Sequence, residues 1–353
     1  KDGYALKEKL IEAINDILDR AASGTAVSVL ATSSEGEGNL VQAYFRPSIA
    51  AGAKEISWAG YLQSLWVDER GNLREDTNAN GALEEGIDKI LTFATTSNGN
   101  TEVQKWAVST ADPYPLEDPT SSPSDTGGLD SIIPIWEAGS LLARRDLNLE
   151  PRTIFTSVEN PATGLLEQKD FVLANASRIK PYLGVKDDKV WEYLGPTQDE
   201  RVSNLIHFIS GRDYDPLYFS GYTELRSRTL DINGVEHTWR LGDIVHSTPM
   251  AISTPPEMYG FIYSDRSYQE YYNLHLRRRD LETMIYVGAN DGMLHAFTSW
   301  RYDQTNKRFV PAEKPDGVGG YSGVYDDDLG AEIWAYIPQA LLPHLKWLAD
   351  RSY

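Results

Sequence analysis

Residues 285–297 read IYVGANDGMLHAF. Ile285, Tyr286 and Val287 form one β-prone arm, and Met293, Leu294, Ala296 and Phe297 form the other. Between them stand Asn290, Asp291 and Gly292. These residue types accept positive φ at low cost, so the stretch predicts a tight β-hairpin. Gly288 leaves room for a neighbouring backbone. A catalytic His295 would need an oriented partner, and the sequence puts no Ser or Asp around it in a recognisable arrangement. The hairpin reading therefore treats Asn290 and Asp291 as turn residues and His295 as a residue of the second strand.

The same rhythm continues on both sides. Short apolar runs alternate with turns from about residue 241 to the end: TPMAIST, TMIYVGAN, GMLHAFTSW, RFVPAE and EIWAYIP. That spacing predicts antiparallel all-β structure of the propeller or sandwich kind, with a helical excursion between Phe261 and Met284. Residues 211–240 are rich in turn formers and read as a linker; DING (231–234) is a second hairpin signal. Residues 1–210 have a different character. Helical periodicity marks 5–22, 131–146, 170–179 and 200–210. LVQAYFRP reads as a strand ending at Pro47, and EISWAGYLQSLWVD, KILTFAT, VQKWAVST and RTIFTSV read as further strands. DPYPLEDPTSSPSDTGG (112–128) reads as a long surface loop. A sheet flanked by helices is the expected architecture of this part, α/β or α+β in class.

Composition limits the function. The 353 residues carry a formal net charge of −19, which opposes binding to nucleic-acid phosphates and favours recruiting cations. There is no cysteine, which removes disulfides, zinc–thiolate sites and thiol catalysis. No stretch is apolar enough to span a bilayer. The opening KDGYALKEKL resembles neither a signal peptide nor an initiator Met, and reads as part of a longer precursor.

One loop carries ion chemistry. Residues 76–88 read DTNANGALEEGID. Asp76, Asn78 and Asn80 take positions 1, 3 and 5 of a calcium loop, and Gly81 takes position 6, where the chain must turn sharply. Ala82 offers a backbone carbonyl at position 7, and Glu84 sits at position 9. Position 12 is Ile87, which cannot ligate through its side chain; Asp88, one residue later, serves if the loop is slightly expanded. Leu83 anchors the loop in a core. The flanks read as a strand before and a short helix after, unlike a helix–loop–helix hand. With two neutral Asn among the leading ligands, the loop is expected to bind Ca2+ with modest affinity.

Other clusters carry less. Asp326, Asp327 and Asp328 read as a solvated loop, Asp213 and Asp215 as a turn, and Arg277, Arg278 and Arg279 as a solvated helix face pairing with Asp280 and Glu282. His246, in DIVHSTP, reads as a packed and hydrogen-bonded ring. Trp58, Tyr61 and Trp66 read as core or inter-domain packing.

VGANDGMLHAF, LGDIVHSTPM (241–250), LGAEIWAYIPQALLPHL (329–345), RAASGTAVSVLATSSEGEGNLVQAYFRP (20–47) and GYLQSLWVDERGNLREDTNANG (60–81) together resemble the PilY family of type IV pilus tip adhesins. The resemblance implies the end of a von Willebrand A-like domain over 1–210, with an inserted strand module at about 55–110 carrying the calcium loop. It further implies the linker at 211–240 and the first blade or blades of a quinoprotein-like β-propeller over 241–353. The Asp-x-Ser-x-Ser metal motif of A-like domains is absent, so no metal-dependent adhesion site carries over. The implied protein is a non-enzymatic, calcium-binding component exported to the cell surface at the pilus tip. It would contact minor pilins and act in pilus assembly and retraction, surface adhesion and twitching motility. Two alternatives stand beside it: a quinoprotein-type propeller dehydrogenase, disfavoured by the lack of vicinal cysteines and of a quinone-clamping cluster, and a secreted calcium-dependent lectin.

Overall fold

The structure is a computed structural model that describes residues 30–32, 38–51, 54–96, 101–118, 120–212, 219, 225–232, 234–252, 258–273, 283–303, 305–311, 313–315, 321–325 and 328–353. The expected helix at 5–22, and Asp213, Asp215, Arg277, Arg278, Arg279, Asp326 and Asp327, lie outside the described residues.

The first sheet is built from β1 (Leu30–Thr32), β2 (Gly38–Ala51), β3 (Lys54–Val67), β4 (Leu73–Arg74), β5 (Ile90–Thr95), β6 (Thr101–Trp106) and β7 (Asp125–Gly127), hydrogen-bonded in that order. A short β8 (Trp136–Glu137) pairs Gln63 and Ser64 of β3, next to β4 on the edge opposite β2. All of these pairings are antiparallel. Val41 and Ala43 on one face of β2, and Gln42 and Tyr44 on the other, are all buried, so this hairpin is covered on both sides. β2 does not end at Pro47. It runs on to Ala51, because the pairing register skips the residue that has no N–H: Arg46 pairs Ala59, Ser48 pairs Ser57, and Trp58 opposite Pro47 turns aside with φ +58°.

Helix α1 (Ala138–Arg144) is shorter than the periodicity of 131–146 predicts. Its start is set by Glu137, whose carboxylate accepts from the Gly139 and Ser140 N–H groups at 2.7 Å each. β9 (Ile154–Glu159) and β10 (Leu166–Asp170) form a hairpin. Helix α2 (Ala176–Leu183) begins six residues later than expected, because Asp170 belongs to β10. Helix α3 (Gln198–Ile209) starts at a capping box in which Thr197 and Glu200 satisfy each other's backbone N–H. DING closes the small β11 (Thr229–Ile232) and β12 (Val235–Thr238) hairpin, with Asp231 accepting from the Gly234 N–H.

The second sheet contains the opening hairpin. It takes β13 (Met250–Ile252), then, after two short helices α4 (Tyr259–Ile262) and α5 (Arg266–Tyr271), β14 (Thr283–Ala289), β15 (Met293–Asp303) and β16 (Arg308–Pro311). Glu313–Pro315 and Tyr321–Tyr325 form a separate two-stranded pair, β17 and β18. β19 (Glu332–Ile337) returns to β15, and the sheet order is β10-β9-β19-β15-β14-β13 with β16 on β15. β9 and β19 run parallel. The sheet thus joins strands from 154–170 with strands beyond residue 250. Asn290, Asp291 and Gly292 make the predicted turn, with Ala289 facing Met293 and Gly292 at φ +85°.

The described residues are a mixture of several antiparallel sheets and few helices, with no closed barrel. Two cores fill it. One packs α2, α3 and the C-terminal turns against β9 and β19 around Phe171, Ile179, Leu205 and Ile337. The other lies between the two sheets, where Val41, Leu62, Trp66 and Leu83 meet Ile285, Phe297, Trp300 and Phe309. Trp66 and Phe309 stack at 5.1 Å across that interface. Trp66 and Tyr61 are packing residues as expected, Tyr61 stacking on Tyr44 at 4.6 Å, whereas Trp58 is 40% exposed.

The segment before β13 meets the first sheet at Gly60, whose N–H donates to the Leu241 carbonyl at 3.1 Å. A Cβ there would lie 1.9 Å from the Gly242 carbonyl oxygen. Gly60→Ala is expected to cost about 1–3 kcal/mol by overpacking against rigid backbone. Urea denaturation measures this, and an unchanged midpoint would show that the contact yields freely.

Candidate functional site

The 76–88 loop leaves β4 and enters β5, so its two ends are held side by side by sheet pairing. The short helix expected after it is a single turn, with Ile87 and Asp88 N–H groups donating to the Glu84 carbonyl at 2.8 Å, followed at once by strand. Arg74, fully buried, closes the base. Its guanidinium donates to Asp68 at 2.7 Å, to the carbonyls of Glu85 and Asp88 at 2.9 and 2.8 Å, and to that of Pro113 at 2.8 Å. Beside it Lys105 and Glu75 form a buried pair at 2.7 Å.

Within the loop, Asp76 is buried and accepts from the Asn80 and Gly81 N–H groups at 3.1 and 2.8 Å. Gly81 has φ +71°, the sharp turn that position 6 requires. The Asn78 and Asn80 amide nitrogens converge on one oxygen of Glu84, at 2.6 and 2.7 Å. Ala82 donates its N–H to Asn80 Oδ1 at 2.8 Å. Ile87 is exposed, and Asp88 fills the space it vacates: one carboxylate oxygen accepts from Thr77 N–H at 3.0 Å and the other from Glu84 N–H at 2.7 Å. Burial raises the Asp76 carboxyl, against the Gly81 and Asn80 N–H bonds that lower it, and the Glu84 charge raises it further. Burial likewise raises Asp88 to about 6, the charges of Asp76 and Glu84 adding to it. The three carboxylates thus repel one another.

The donor set fits a hard cation through its oxygens rather than through carboxylates alone. Among the described residues no three His, Asp or Glu side chains converge tightly enough to hold a metal by themselves. Calcium takes about six to eight oxygens, amide and backbone carbonyls among them. Half-turns of the Asn78 and Asn80 amides would present oxygen where nitrogen now meets Glu84. Asp76, Asn78, Asn80, Glu84 and the Ala82 carbonyl would hold the ion, with Asp88 closing the loop behind Glu84.

A second constellation escapes sequence reasoning. His295 is fully buried, and both ring nitrogens meet carboxylates: Nδ1 meets Glu332 at 2.7 Å and Nε2 meets Asp291 at 3.1 Å. Arg152 clamps Glu332 with Nε and Nη2, each at 2.7 Å. Burial alone would lower the His295 pKa; the Asp291 charge and hydrogen bond, with those of Glu332, outweigh it and push the ring up to about 9. His295 is therefore an imidazolium, and two cations and two carboxylates neutralise one another. Asp291 also accepts from the Gly242 and Met293 N–H groups at 3.1 Å each, while Asn290 donates to Asp243 at 2.6 Å. The turn residues are thus more than turn formers. They tie the hairpin to the segment before β13. In that segment Ser247 accepts from Gly288 N–H at 2.9 Å, whereas His246, expected to pack, is exposed. Asp328 is also exposed, and its carbonyl accepts from Thr298 and Ala331. No spacing in the sequence announces the quartet, since Arg152 and Glu332 are 180 residues apart.

Fold and site together define a mixed α/β chain of open, mostly antiparallel sheets with a polar turn at 76–88. Comparison adds a relationship over part of its length. The chain is 28% identical over 116 residues to a type IV pilus biogenesis factor PilY1 homolog of Xylella fastidiosa (strain Temecula1 / ATCC 700964), and 30% identical over 119 residues to a second protein of the same name and organism. Each match covers 32% of this chain and only 7% and 6%, respectively, of the relative. These similarities support a PilY-related relationship over about a third of the chain. No protein-family model and no solved structure matches it. Among the described residues no helix is long and apolar enough to cross a membrane.

Proposed function

We propose that this chain is part of a non-enzymatic, type IV pilus-associated protein whose 76–88 loop binds calcium. It would act outside the cell at the pilus tip, in assembly, adhesion and twitching motility, with minor pilins as partners. The observation that carries the calcium reading is the meeting of Asn78, Asn80 and Glu84 at one point, above the buried carboxylates of Asp76 and Asp88. The two pilus biogenesis relatives support the cellular setting. Bound calcium would supply charge neutralisation among Asp76, Glu84 and Asp88, the carboxylates of the loop between β4 and β5.

The partner reading has its own test. The full-length protein is expected to co-purify with minor pilins, and more strongly with calcium than with chelator. Failure to associate under both conditions would remove the pilus-tip role.

A further inference from the structure

We propose that the 76–88 loop is a cation-controlled latch between the two sheets, an inference that rests on the calcium reading above. The three residues Ala82, Leu83 and Glu84 carry both functions at once. Ala82 and Glu84 are the ligands at the seventh and ninth positions of the loop. Leu83 lies between them, 4% exposed, in the inter-sheet core with Trp66, Trp300 and Phe309. The same run bonds directly to the second sheet. Leu83 N–H donates to the Lys307 carbonyl at 2.8 Å, and Ala82 forms a β-bridge with Arg308. The loop is thus the edge partner of β16, the strand that hangs on β15 beyond the rest of the sheet.

Both sides of this contact hold backbone in the left-handed region without glycine: Ala79 at φ +53° in the loop and Lys307 at φ +48° in the turn before β16. Such residues relax unless their surroundings hold them. An ion drawing the Ala82 carbonyl and the Glu84 carboxylate inward fixes the residue between them, and with it the Leu83–Lys307 bond and the seating of Leu83 against Phe309. Occupancy at the loop then reads out as docking of β16, on a segment more than two hundred residues away in sequence.

The test is hydrogen exchange of the protein with excess calcium and with chelator, run beside calorimetry. The latch predicts that calcium slows amide exchange by roughly tenfold both in the loop and across residues 307–311. It also predicts that Leu83→Ala, which keeps every ligand, still binds calcium but loses the protection at 307–311. If calcium binds and protection stays confined to 76–88, the latch is wrong and the calcium site stands. If calorimetry detects no binding, the calcium reading falls and the latch falls with it. The wild-type comparison decides the matter even if the Leu83 variant does not fold.

Discussion

Glu332→Ala is expected to destabilise the protein by about 3–5 kcal/mol, the cost of leaving a buried ion uncompensated. The carboxylate is 1% exposed and is shared by Arg152 and His295, so its removal leaves two cations facing each other with only Asp291 between them. The double variant Arg152→Ala/Glu332→Ala should recover part of the loss, because the unpaired guanidinium goes too. Urea denaturation of the single and double variants measures this. A single-variant loss below about 1 kcal/mol, the range of a surface pair, would mean that the quartet contributes little. The same network sets an alkaline limit. His295 is raised from 6.5 to about 9, so its contribution is complete below 6.5 and is lost as pH rises through about 9. Glu332 is held well below its ordinary 4.5 by Arg152 and His295, against burial, so its contribution is complete above 4.5 and is lost only as pH falls far below that. Stability should therefore decline between pH 7 and 10, and His295→Gln should flatten that decline.

The second large effect concerns the 76–88 loop. Calcium at a hundredfold excess over its dissociation constant should stabilise the protein by about 2.7 kcal/mol, and Asp76→Ala should abolish the gain. The pH dependence has a definite sign. The Asp88 carboxyl titrates at about 6 in the fold against an ordinary 3.8, so without calcium it lowers stability as pH rises through that interval. Below about 6 a proton competes with the ion, so the calcium gain should be full at pH 7 and reduced at pH 5. Equal denaturation midpoints at pH 7 in calcium and in chelator would rule out a site of this kind.

Local features were legible in the sequence wherever the physics is local. Asn290, Asp291 and Gly292 announce a hairpin because a turn's backbone geometry depends on its own residues. Residues 76–88 announce a sharp turn at Gly81 among oxygen-bearing side chains because turn chemistry along one short segment is a property of that segment. Boundaries were less legible where neighbours decide. β2 passes through Pro47 because Trp58 opposite absorbs the missing N–H, and α1 starts at Ala138 because Glu137 caps it. Helical periodicity alone reports neither.

The sequence by itself determined the acidic character, the absence of thiol chemistry, the hairpin at 285–297 and the oxygen-rich spacing of Asp76 to Asp88. Only the tertiary structure decided that β9 runs parallel beside β19, that Arg152, Asp291, His295 and Glu332 meet in one neutral cluster, and that Leu83 seats the loop against β16. The physical reason is the range of the interaction. A turn or a ligand spacing is paid for within a dozen residues, whereas pairing buried charges across 180 residues requires the whole chain to have closed around them first.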